Sequence, residues 1–130
     1  MSRRLVWAAA ALPAANVVHA LVPAPGGQNE AIAGPIMGTI VTVGALVAFA
    51  GLVRRKAWAP ALAVATAVAT IAGFALFHAL PLRSDVTEPY WGHHGTTNGA
   101  QILSLALIAA AAVWVVVEAL PAVQPRRSGA

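Results

Sequence analysis

Four histidines and no cysteine set the chemistry open to this chain. His19, His78, His93 and His94 supply imidazole nitrogens, and Glu30, Asp85 and Glu88 are the carboxylates closest to them in the chain. Neutral imidazole is the commonest metal ligand, and nitrogen with carboxylate suits zinc or copper. His19, His78, His93, His94, Glu30 and Glu88 are therefore the candidate metal ligands. Met37 would tilt the choice toward Cu⁺. Two histidines from different helices at matched depth could also hold a haem iron axially. Asn16 lies three residues before His19, on the same helical face, and is expected to hydrogen-bond that imidazole and fix it. The competing reading is structural, with His19 bonded to Asn16 or a carbonyl, His78 ending its helix, and His93-His94 solvated in a loop.

No spacing in the chain is diagnostic of an enzyme. There is no His-Glu-x-x-His, no Ser-His-Asp spacing and no glycine-rich phosphate loop. An acid–base pair drawn from Glu30, Asp85, Glu88 and a histidine is the remaining catalytic option. No residue is assigned a catalytic role, and the balance favours a protein that is not an enzyme.

The elements that carry these residues follow from composition. The chain is 59% hydrophobic and 9% charged. Soluble domains are about 25% charged, so bilayer is the expected solvent. The positive charges sit in clusters between apolar runs, which topology explains without nucleic acid. The bias to Ala, Val, Gly, Pro and Arg fits a GC-rich bacterial genome.

Four apolar runs predict an all-α, four-helix transmembrane bundle, a single integral membrane domain over 1–130. The spans are about 5–22, 34–53, 57–80 and 99–120. Outer loops cover 23–33 and 82–98, an inner turn 54–56, and a tail 121–130. About 20 helical residues cross the hydrocarbon core. Pro13 lies within the first run, where membrane helices tolerate it. Asn98 and Gln101 have the spacing of an N-cap and its third helical residue. Pro121 is expected to stop the fourth helix. A competing reading makes the first run a signal peptide cleaved after Ala20.

Small residues suggest where helices meet. Gly34 with Gly38, and Gly44 with Ala48, are pairs four apart that permit close approach in lipid. Ala61, Ala65, Ala69 and Gly73 form a longer row, expected to face a neighbouring helix.

The chain also echoes itself. Val18-His19-Ala20-Leu21-Val22-Pro23 recurs as Phe77-His78-Ala79-Leu80-Pro81. Each copy reads as a helix exit, because proline lacks an N–H and disfavours helix before it. Two hairpins with equivalent exits would form a parallel pseudo-repeat, with His19 and His78 at one depth.

Charge gives the orientation. Arg3, Arg4, Arg54, Arg55, Lys56, Arg126 and Arg127 fall on one side and Arg83 on the other. The positive-inside rule then places both termini in the cytoplasm of a multi-pass plasma-membrane protein, and all four histidines outside. The expected role is structural or accessory, exercised through a homo-oligomer or a membrane-complex partner. Metal or haem binding at the outer face, for redox chemistry or metal handling, is the alternative. A small transporter or channel comes third. The chain resembles the small multidrug exporters in size and helix number but lacks their membrane-embedded glutamate in the first helix.

Overall fold

The computed structural model describes residues 2–22, 33–79 and 96–124, and within them the chain is helical nearly throughout. α1 spans Arg3–Leu21, α2 Ala33–Val53, α3 Ala59–Phe74 and α4 Thr96–Val123, and a five-residue π-turn, Ala75–Ala79, continues α3. Each of the four, α3 taken with its π-turn as far as His78, is long and apolar enough to cross a membrane. With no water in a bilayer core, the helix is the element that satisfies its own backbone groups.

The ends are set by recognisable residues. Ser2 caps α1, its hydroxyl accepting from the N–H groups of Arg4 and Leu5. Pro60 stands in the first turn of α3, where its missing N–H costs nothing. Arg55 turns the chain between α2 and α3 with a positive φ of 54°. Such a φ is uncommon outside glycine and is tolerated here in a two-helix corner. Pro13 is buried within an unbroken α1.

Three expected boundaries move. α4 begins at Thr96, so Asn98 lies within its first turn and is not the cap. α4 also runs through Pro121 to Val123. In the last turn a proline forfeits one hydrogen bond, and the Gln124 N–H still reaches the Leu120 carbonyl at 3.1 Å. α3 starts at Ala59, two residues later than expected, with Trp58 in the flanking position.

α1 packs on α2 and α4, and α3 packs on α2 and α4, so the helices form a ring in chain order. The tight turn at 54–58 makes α2 and α3 antiparallel. His19 near the end of α1 meets both His78 at the end of α3 and Ser104 near the start of α4. Helix directions therefore alternate around the ring. α1 and α3 are diagonal and parallel. One end of the bundle carries Arg3, Arg4, Arg54, Arg55 and Lys56, and the other carries His19 and His78.

The core changes character along the bundle. Toward the basic end it is built of Leu5, Ala8, Leu12, Ala48, Leu52, Ala59, Ala63, Ala112 and Val115, all essentially sealed. Toward the histidine end the buried residues include Asn16, Gln101 and Ser104, with Thr66 and Thr70 between. Both threonine hydroxyls donate to carbonyls four residues back in α3, which satisfies them within the helix.

The small-residue rows divide. Gly44 meets Thr66, and Ala48 is 1% exposed, so this pair lies in the α2–α3 contact. A Cβ at Gly38 would meet nothing within 4 Å. The expected ridge at Ala61, Ala65, Ala69 and Gly73 is turned outward: the three alanines are exposed, and Gly73 likewise has open space before it. α3 buries Ala59, Ala63 and Ala67 instead. In a helix this rich in alanine two rows have the same spacing, and packing against α2 and α4 buries only one of them.

Candidate functional site

At the histidine end, three aromatic rings from two diagonal helices make a near-equilateral triangle. The His19 ring centroid lies 5.5 Å from that of Phe74 and 5.7 Å from that of His78. Phe74 and His78 are 5.8 Å apart. The His19 ring stands nearly perpendicular to the other two, at interplanar angles of 88° and 75°. Edge-to-face pairs at 4.5–7 Å are favourable because a ring edge is positive and a ring face negative.

The backbone of α3 makes this possible. Phe74 is the last residue of the α-helix and His78 lies in the π-turn. π-turns are rare and recur at functional sites because they re-aim side chains within a helix. Here both rings come to bear on the same imidazole of α1.

His19 is held from the other side by α4. Its Nδ1 lies 2.8 Å from Ser104 Oγ. That hydroxyl donates its single proton to the Gln101 carbonyl at 2.7 Å. Ser104 Oγ is therefore an acceptor toward His19, so His19 Nδ1 carries the proton and donates it. The tautomer follows from the hydrogen-bond network. A neutral imidazole with Nδ1–H keeps its lone pair on Nε2.

Gln101 completes the tie between α1 and α4. Its Nε2 donates to the Val22 carbonyl at 2.6 Å, capping a group that α1 leaves open at its end. Gln101 is 2% exposed and Ser104 3%. Sequence reasoning missed Ser104 as a partner of His19. The signal was there in the spacing, since Gln101 and Ser104 lie three apart and share a face of α4.

Asn16 does not play the part expected of it. It is 8% exposed, and its Nδ2 makes no hydrogen bond. The residue that fixes the His19 ring is Ser104. Asn16 sits on the His19 face of α1, one turn deeper, as an unsatisfied amide. An orphaned buried donor of this kind costs about 1–3 kcal/mol.

The other candidate ligands divide in two. Glu30, Glu88, His93 and His94, with Asp85, lie outside the described residues. Met37 is 41% exposed on α2. Among the described residues no three His, Cys, Asp or Glu side chains converge on one point. The described chemistry is therefore an imidazole pair, the hydroxyl that orients one member, and a buried amide below them.

Comparison with family models, with curated proteins and with solved structures finds no match to this chain.

Proposed function

We propose that the protein is a structural or accessory subunit of a plasma-membrane assembly, with both termini in the cytoplasm, and that its partner helix docks along the half of α2 nearest the histidine end. The observation that carries this reading is the unpacked state of that half. From Pro35 to Ile40 every residue is exposed, and a Cβ at Gly38 would meet no atom within 4 Å. Among the described residues, the polar ties found at this end join α1 to α4 and α1 to α3.

A helix face with a small residue at its centre and apolar neighbours suits close helix association in lipid. Ile36, Ile40 and Val43 flank Gly38 and are each more than half exposed. A glycine there gains nothing within the monomer, so a partner backbone gives it a use. Met37 and the two threonines of this half are compatible with such a contact, because Thr39 and Thr42 have already satisfied their hydroxyls within α2.

The orientation rests on the basic clusters and is tested separately. Reporter fusions at either terminus should be active in the cytoplasm, and a cysteine introduced at Thr96 should react with an impermeant reagent from outside.

The partner is tested by photocrosslinking in the native membrane from position 37 or 40, with position 65 as an exposed control on α3. A discrete crosslinked species from α2, a second copy or another protein, supports the reading. Equal, diffuse labelling from both helices would leave lipid as the only neighbour and end it.

A further inference from the structure

We infer that His19 and His78 form a binding site for a transition-metal ion of the zinc–copper class, with Nε2 of His19 as one fixed ligand. This goes beyond the accessory reading and does not depend on it. Four observations carry it.

The first is separation. Two imidazoles bound to one ion through nitrogens about 2 Å away place their ring centroids about 5–6.5 Å apart. The His19 and His78 centroids are 5.7 Å apart, at an interplanar angle of 75°. Rings at this spacing share an ion once each turns about its broad terminal torsion to bring a nitrogen lone pair onto it.

The second is the tautomer. Ser104 Oγ accepts a hydrogen bond from the protonated Nδ1 of His19, so the lone pair stands on Nε2. Metal-bound histidines characteristically give their other ring nitrogen to a hydroxyl, carbonyl or carboxylate, which fixes the ring and raises its basicity. The Ser104–Gln101 chain does this for His19 before any ion arrives.

The third is the unsatisfied amide. Asn16 is more than nine-tenths buried, lies on the His19 face of α1, and has no partner for Nδ2. Two protein nitrogens leave a zinc-class ion short of its usual four ligands, so solvent must complete the shell. Turning the Asn16 amide about its terminal torsion exchanges Nδ2 for Oδ1, an acceptor for the proton of an ion-bound water. That turn is inexpensive, because the torsion is broad and two-fold.

The fourth concerns size. A haem between two axial imidazoles needs a porphyrin slab between the rings and collinear bonds to iron. Phe74 lies 5.5 Å from one ring and 5.8 Å from the other, filling one side of the space between them. A bare ion fits this arrangement, and a macrocycle does not.

The test uses the full chain, purified without an affinity tag and stripped with chelator. Zn²⁺ and, under anaerobic conditions, Cu⁺ are titrated separately, and bound metal is counted by elemental analysis after dialysis. We expect one equivalent of at least one of the two ions. His19→Gln and His78→Gln should each weaken binding at least tenfold. Ser104→Ala should weaken it by about tenfold to a hundredfold, the range for losing a residue that orients a ligand. X-ray absorption of the loaded wild-type protein should show two imidazole ligands, which keeps the test decisive even where a variant fails to fold. No stoichiometric uptake of either ion would overturn the inference. So would uptake unchanged in both histidine variants, fewer than two imidazoles in the absorption spectrum, or a haem spectrum in the purified protein.

Discussion

α2 and α3 cross with no room between Gly44 and Thr66: a Cβ on Gly44 would stand 2.6 Å from Thr66 Cγ2. The same closeness returns at Gly51, where a Cβ would meet Ala59 Cβ at 2.8 Å and the Trp58 ring at 2.7 Å. Between these points Ala48 and Ala63 are sealed. The contact is made by absent side chains, and it stays close from Gly44 to Gly51 while α2 opens at Gly38.

Glycine substitutions on α2 should therefore separate by position. Gly44→Leu forces the two helices apart, and overpacking of this kind costs about 1–3 kcal/mol. Gly38→Leu meets open space and should leave thermal stability in detergent unchanged, while removing the crosslink to any partner. Equal losses of melting temperature in the two variants would show that α2 is packed along its whole length.

On α3 the sensitive row is the one that ends in Ala67. Ala67 is 0% exposed, whereas Ala65, two residues away, is exposed. Ala67→Leu should lower the melting temperature markedly, and Ala65→Leu should change stability by less than about 0.5 kcal/mol. The reverse order would put the outward row at the helix contact.

The His19–Ser104 bond should be measurable as a coupling. A double-mutant cycle with His19→Ala and Ser104→Ala, read by unfolding in mixed micelles, should give an interaction of about 0.6–1.7 kcal/mol, the range for interhelical hydrogen bonds in membranes. Additive effects within error would mean that the two side chains do not share the proton assigned to them.

Asn16 offers a test with the opposite sign. Its Nδ2 is buried without a partner, so an apolar residue of similar volume removes a desolvation cost. Asn16→Leu should raise the melting temperature of the metal-free protein. A residue retained against stability is a common mark of a functional position. A lower melting temperature in the variant would show that the amide is satisfied in the metal-free protein, by water for example.

Much of this was legible in the chain itself. Long uncharged runs and charged clusters between them dictate four apolar helices, because only a helix satisfies its own backbone groups away from water. Ser2 before Arg3 and Pro60 at the head of α3 are local signals that need no neighbour to read. The repeated His-Ala-Leu exit singled out His19 and His78 in the sequence, and in the bundle their rings lie 5.7 Å apart.

What the sequence could not determine is which of two equivalent patterns faces inward. The rows 59/63/67 and 61/65/69 of α3 have the same spacing and the same residue, alanine, and packing against α2 and α4 chooses between them. The partner of His19 is a similar case. Asn16 is its neighbour along the chain and on the same face of α1. Ser104, 85 residues away, is the group within 2.8 Å. A hydrogen bond is decided by where an acceptor stands in space, and in a bundle that position belongs to the adjacent helix as often as to the adjacent turn. The π-turn at Ala75–Ala79 has no glycine or proline within it to announce it. It is visible only in the tertiary structure, where Phe74 and His78 both come to bear on the His19 ring.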